Sequence, residues 1–339
     1  MRFPFSLTRS MTAYLLRKKL AGEKIFPLVL MLEPLHASNL SGISGGRARE
    51  YADTLHRRLS VERCLAAVTE CGAPIVSLCG GEPLIYPEIG LLVERLVARQ
   101  KHVYLCTNGV LLEQMLSSFR PGSRLTVSVR LDGMEATHDR LSEREGVFAA
   151  AIRGILDAKV AGFNVATETT IYKDTDLHEI AVLFDYLYEL GVDGFMLSPA
   201  CGHSAPDGRD AEGAGRFFAT RGEVHETFRA ARMLLRRFRL TASPFYMEFL
   251  CGERELDCAA WTNPTYNVQG WRGPCYLLGD AHYETYRELV DSTAWRDFGP
   301  AGDSRCARCL VPCGFEPAAV LSAPKGLRDA VRMAMWQMT

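Results

Sequence analysis

The 339-residue sequence predicts an α/β protein, a partial (β/α)6 barrel followed by a cysteine-rich appendage. Two observations predict it. From residue 27 to 199, apolar runs of strand length alternate with segments of helical period, the pattern of βα units around a parallel sheet. Beyond that stretch the alternation fades and five cysteines gather: Cys258, Cys275, Cys306, Cys309 and Cys313. Periodicity alone does not separate a partial barrel from an open doubly wound sheet.

The elements follow in chain order. Residues 1–25 are basic and modestly amphipathic and predict a helix that packs under the barrel, with contact to a membrane surface as a second reading. Their apolar stretch is too short for a secretory signal. Residues 26–240 form the barrel, with strands expected at 28–32, 75–78, 103–106, 125–131, 165–171 and 194–198. Ser60 can cap a helix that buries Val61, Cys64, Leu65 and Val68. A second stripe is Phe148, Ile152, Ile155 and Leu156, and a third runs Ile180, Leu183, Phe184, Leu187 and Leu190 to a C-cap at Gly191. Residues 201–216 read as a loop at the catalytic end, and a helix with a solvated arginine face follows to about 239. Residues 241–325 form the appendage, with weak strands, and 326–339 a terminal helix whose methionines pack against the body.

Composition narrows the partners. With 39 basic against 40 acidic residues, nothing favours nucleic acid. No apolar run approaches the roughly 18 residues that span a bilayer. Eleven cysteines without an export signal read as reduced thiols in the cytoplasm. Thiols clustered in a reducing compartment point to metal.

Three motifs sit at successive strand ends. Gly80-Gly81-Glu82-Pro83 follows the second strand, Cys106-Thr107-Asn108-Gly109 the third, and Ser128-Val129-Arg130-Leu131-Asp132-Gly133 lies on the fourth. The glycines permit close backbone approach, and Glu82 brings a carboxylate to the catalytic end of the sheet. With the loop frame at 30–46, these motifs resemble the radical SAM superfamily. The segments 27–35, 57–62, 104–108, 274–279 and 313–317 further resemble the adenosylhopane synthase family, which adds a deoxyadenosyl radical to a hopanoid alkene. The positions where that superfamily carries its C-x3-C-x2-C cluster ligands are here Ser38, Gly42 and Gly45.

The resemblance implies that Gly80, Gly81, Glu82 and Pro83 receive the methionine end of S-adenosylmethionine, with Asn108 and Ser128 beside it. It implies no radical cluster at the usual loop. Turn and capping chemistry is the competing reading for Glu82, Asn108 and Asp132. Downstream, Cys258-x11-Gly270-x4-Cys275 followed by Cys306-x2-Cys309-x3-Cys313 resembles the auxiliary-cluster domains of the superfamily, and four thiolates suit a [4Fe–4S] cluster or tetrahedral Zn. Five cysteines for four places leave one spare. Cys79, Cys106 and Cys201 all end barrel strands and offer an alternative home for a displaced cluster.

The candidate catalytic residues are Glu168, His36, Arg130 and Asp132. Ala166, Glu168 and Thr170 share a strand face, so an inward face puts a carboxylate in the pocket, with Arg130 the expected neutralising partner. The expected function is a radical-SAM-fold enzyme acting by non-radical chemistry, acid/base or carbocation, on a small hydrophobic, terpenoid-like substrate. A working radical enzyme with a displaced cluster and a non-catalytic binding protein are the alternatives.

Overall fold

A computed structural model describes residues 4–40, 52–201, 216–322 and 326–338. The sequence-predicted parallel strands are all present: β1 (Val29–Leu32), β2 (Ile75–Leu78), β3 (His102–Thr107), β4 (Leu125–Arg130), β5 (Asn164–Ile171) and β6 (Gly194–Pro199). Three further strands lie in the appendage, β7 (Thr265–Asn267), β8 (Gly270–Pro274) and β9 (Gly279–Tyr283). All nine join one sheet in the order β6-β5-β4-β3-β2-β1-β7-β8-β9. The sheet is therefore a mixed, open one, parallel from β6 to β7 and antiparallel beyond.

The weak strands expected beyond residue 240 are thus corrected. Gly270, Gly273 and Pro274 interrupt the alternation that marks a strand in sequence, yet β7 pairs with β1 through Met31 and Leu32 and supplies the template. Trp271 of β8 is fully buried, and its Nε1 donates to Glu70 Oε2 at 3.0 Å. The same carboxylate accepts from the Tyr286 backbone N–H at 2.6 Å, fixing the appendage to the second helix of the barrel.

Helices α1 (Phe5–Leu20), α2 (Val61–Cys71), α3 (Ile89–Ala98), α4 (Leu112–Met115), α5 (Glu135–Ser142), α6 (Val147–Val160) and α7 (Leu177–Glu189) belong to the barrel half. Ser60 caps α2 by accepting from the Arg63 N–H, a bond worth about 1 kcal/mol. Gly72, at φ 69°, ends that helix in the left-handed region. Beyond β6 come α8 (Arg221–Leu235), α9 (Pro244–Leu250), α10 (Tyr286–Ser292), α11 (Pro312–Ser322) and α12 (Leu327–Met338).

Alternation sorts the strand residues onto two faces. Leu30, Leu32, Val76, Leu78, Val103, Leu105, Val127, Val129 and Val165 are buried in the main core. Met31, Ser77, Tyr104, Cys106, Glu168, Thr170, Met196 and Ser198 occupy the other face and are only half-buried, so this concave face forms a lumen. Helix α1 closes its lower end, because Tyr14 packs with Phe26 and Leu28 and its hydroxyl donates to the Pro27 carbonyl at 2.7 Å.

Candidate functional site

The lumen wall carries a polar ladder that crosses four strands. Cys106 of β3 stands opposite Ser128 of β4, and Arg130 opposite Glu168 of β5, so their side chains emerge on one face. Ser128 Oγ donates to Glu168 Oε1 at 2.8 Å. The Cys106 thiol donates to the same oxygen at 3.4 Å and contacts Ser77 Oγ at 3.3 Å. Burial and the Glu168 carboxylate hold the Cys106 thiol well above its usual range, so it is neutral. The inward placement of Glu168 agrees with the face that Ala166, Glu168 and Thr170 share in sequence.

Arg130 stands opposite Glu168 and interacts electrostatically with it, as sequence suggested, but its direct salt bridge is to Asp132. Its Nε donates to Asp132 Oδ2 at 2.8 Å, and an outer nitrogen reaches the Tyr172 hydroxyl at 3.1 Å. Two residues beyond the end of β4, Asp132 is the carboxylate in salt-bridge contact with Arg130. Burial opposes the charge on Arg130, but that carboxylate outweighs it and holds the guanidinium above the usual arginine range. Asp132 is itself buried, accepting from the Thr170 N–H at 2.8 Å through its other oxygen. Its own N–H donates to His138 Nδ1 at 3.2 Å. Asp132 therefore ties β4 to β5 and presents Arg130, with both carboxylate oxygens already engaged.

At the upper end of β2 the glycines face protein backbone. A Cβ on Gly81 would lie 1.7 Å from the Ala37 carbonyl oxygen, and one on Gly80, at φ 107°, would lie 2.6 Å from that of Leu35. The loop after β1 is laced to this turn by Gly81 N–H to Leu35 O at 3.2 Å and Glu82 N–H to Ala37 O at 2.8 Å. Glu82 is buried and accepts three bonds, from Leu84 N–H at 3.0 Å, Thr107 Oγ1 at 2.7 Å and Asn108 N–H at 2.9 Å. Burial pushes its carboxyl up, against the pull of those bonds. Pro83 opens the following 3-10 turn. Asn108 Nδ2 donates to Asn39 Oδ1 at 2.7 Å, which fastens the β3 end to the β1 loop.

Within that loop, Ser38 Oγ accepts from the Leu40 N–H at 3.2 Å. Gly42 and Gly45 lie outside the described residues. His36, expected in the pocket, has a buried ring instead: Nδ1 bonds Thr54 Oγ1 at 2.7 Å, and Nε2 lies 3.6 Å from Glu33 Oε2. Asn267 Nδ2 of β7 donates to the same Glu33 oxygen at 3.2 Å. The imidazole is thereby held in a polar contact between the β1 loop and the appendage, away from a role at an open site.

The five downstream cysteines meet. Cys258, Cys275, Cys306, Cys309 and Cys313 line one cavity, walled also by Leu278, Phe298 and Phe315. Each pair among Cys258, Cys275, Cys306 and Cys309 is close enough for their charges to interact. Burial pushes the Cys275 thiol up to about 11, and burial followed by its thiol neighbours raises Cys258 further. A cation among them would offset both effects. As the side chains stand, no three His, Cys, Asp or Glu among the described residues converge on a single ion position. Near the cavity, burial raises the Tyr246 hydroxyl well above its usual range, and it donates to the Leu310 carbonyl at 2.7 Å.

Cys201 does not join Cys79 and Cys106. Its thiol is hydrogen-bonded to that of Cys309, and this bond is the leading cause that raises the Cys309 thiol. Among the described residues the three strand-end thiols thus divide, Cys79 interacting with Cys106 and Cys201 bonding to Cys309. Sequence reasoning also passed over Ser77 and Tyr172, whose signal was only their parity with Ser128 and Glu168. No disulfide is present among the described residues, and no described helix is long and apolar enough to cross a membrane.

Residues 46–187 match the radical SAM superfamily, and residues 209–333 match a domain of unknown function, DUF3463. An AdoMet-dependent heme synthase of Methanosarcina barkeri is 34% identical over 126 residues, 37% of this chain and 36% of that protein. A probable GTP 3′,8-cyclase of Methanothermobacter marburgensis is 24% identical over 243 residues, covering 68% of this chain and 77% of that one. The chain spans about a third of the length of the first curated relatives it matches. Streptococcus suis SuiB bound to S-adenosylmethionine superposes with a TM-score of 0.61 at 15% identity, over 89% of this chain and 73% of that one, a likeness of fold.

Proposed function

We propose that this chain, which carries a radical SAM superfamily domain, is an enzyme of the adenosylhopane synthase type that works without the radical-generating cluster. Its chemistry is non-radical, acid/base or carbocation, on a hydrophobic, terpenoid-like substrate. The observation that carries this reading is the loop after β1: no cysteine stands between residues 30 and 46, and the first cluster position is a serine already bonded to backbone. Without thiolates there, the amino and carboxylate groups of S-adenosylmethionine lose their iron, and reductive cleavage loses its electron donor.

The lumen still offers chemistry. Glu168 is the group positioned to accept or donate a proton or to stabilise positive charge, with Arg130 and Asp132 shaping the wall above it. Cys258, Cys275, Cys306 and Cys309 would hold a [4Fe–4S] cluster, or Zn, in the appendage. Such a group supplies electron transfer if it is iron–sulfur and structural cross-linking if it is zinc. The test is anaerobic incubation with S-adenosylmethionine and a strong reductant. No 5′-deoxyadenosine is expected, and its release at a catalytic rate overturns the reading.

A further inference from the structure

Helix α1 lies outside both family-matched segments, and the fold uses only one of its faces. Leu7 and Tyr14 are its buried residues, Met11 and Leu15 pack with Tyr14 beside Phe26 and Leu28, and Ser10 Oγ lies 3.4 Å from Nε2 of His102, the first residue of β3. The opposite face meets solvent with three large apolar side chains: Phe5 is 62% exposed, Leu16 57% and Leu20 87%. At 3.6 residues per turn they fall within an arc of roughly 60°. A single exposed leucine is ordinary. Three apolar side chains in one stripe, on a helix already anchored by its other face, mark a surface that meets something else.

The charge on this surface has one sign. Helix α1 carries Arg9, Arg17, Lys18 and Lys19 and no acidic residue, in a chain whose net charge is −1. Lys18 pairs with Glu23 at 2.5 Å, whereas among the described residues no carboxylate forms an ion pair with Arg9, Arg17 or Lys19. By helical angle Arg9 sits within the apolar stripe, and Lys19 and Arg17 flank it on either side. The arginines of the α8 region differ: Arg221, Arg232 and Arg237 pair with Glu255, Glu253 and Asp185 respectively. That face is neutralised from within, while α1 presents its charge outward. Long basic stems reach headgroup phosphates while the apolar side chains between them enter the acyl boundary.

We infer that α1 docks this protein on the surface of an anionic lipid bilayer, lying in the interface with Phe5, Leu16 and Leu20 towards the acyl chains and Arg9, Arg17 and Lys19 at the phosphates. The inference does not rest on the chemistry of the lumen. Each basic side chain at such a surface contributes roughly fivefold in affinity, so the three together give roughly hundredfold. Salt screens that part of the attraction.

Sedimentation of the full chain with lipid vesicles tests the inference. Vesicles of phosphatidylcholine mixed with phosphatidylglycerol are expected to bind it roughly hundredfold more tightly than vesicles of phosphatidylcholine alone, a preference that shrinks as salt rises. Arg9→Gln/Arg17→Gln/Lys19→Gln should lose the preference, and Phe5→Ser/Leu16→Ser/Leu20→Ser should release the protein from both kinds of vesicle. Circular dichroism and Tm should stay as in the parent for both variants, because all six side chains are exposed. Equal binding to the two kinds of vesicle, binding to neither, or either variant binding as the parent does overturns the inference. So does a parent chain that is dimeric in analytical ultracentrifugation and monomeric in the apolar variant without binding vesicles, which would assign the face to a second copy. Deoxyadenosine release would overturn the non-radical reading and leave this result standing.

Discussion

Replacing Gly81 by alanine asks whether the turn after β2 is built for a bound ligand or for the loop after β1. The new Cβ would sit 1.7 Å from the Ala37 carbonyl oxygen and 2.4 Å from its carbon, both backbone atoms that cannot rotate aside. Relief requires the strand turn and the loop to part. Parting weakens the bonds from Gly81 N–H to Leu35 O and from Glu82 N–H to Ala37 O. Each is worth about 1 kcal/mol net, and overpacking adds roughly 1–3 kcal/mol, so a loss of about 3–5 kcal/mol is expected. The control is Gly72→Ala, where φ is 69° but no atom lies within 4 Å. There only the backbone preference is lost, about 1 kcal/mol. Urea denaturation followed by circular dichroism measures both. Costs for the two variants within about 0.5 kcal/mol of each other would refute the steric argument and return the glycine to a ligand-facing role.

Three further outcomes are expected. Glu316 is buried, accepts from the Ser243 N–H and has its carboxyl raised from 4.5 to about 7, chiefly by burial. A raised acid favours folding while protonated, so its contribution is complete below pH 4.5 and lost as pH rises through 7. Glu316→Gln should flatten the stability profile between those pH values, and an unchanged profile measured by thermal melts counts against the assignment. Metal analysis for iron, sulfide and zinc on anaerobically purified protein should find metal that disappears in Cys306→Ala/Cys309→Ala and persists in Cys313→Ala. Loss in Cys313→Ala instead would transfer the ligand role. Glu70→Ala removes the acceptor of both Trp271 and Tyr286 and should cost about 1–3 kcal/mol. A Tm equal to that of the parent would show that this carboxylate does not hold the appendage.

What could be read from the chain depended on the range of the signal. The six parallel strands were legible because each buries one face under helices and repeats its apolar residues at a period of two. The Glu168 face followed from the same parity, and the meeting of the five cysteines followed from their shared chemistry. Partner choice was less legible. Arg130 has two carboxylates in reach, and parity alone could not show that its direct salt bridge goes to the one two residues past the strand end and not to the one across the sheet. His36 reads as a pocket residue by its position in the loop, yet Thr54 and Glu33 enclose it through a fold of the chain that carries no local mark. Strands β7 and β8 escaped because glycine and proline mask their period, and their pairing depends on β1, more than 230 residues earlier.

The parallel pairing of β7 with β1 bears on how this protein can be taken apart. A truncation near residue 240 would strip the cover from one edge of β1 and leave the backbone groups of Met31 and Leu32 without their strand neighbour. A bare edge of that kind recruits strands from other molecules. The segment carrying the cysteines is thus an edge guard for the sheet as well as a bearer of thiols, and a shortened chain would be expected to aggregate before it could report on the barrel alone.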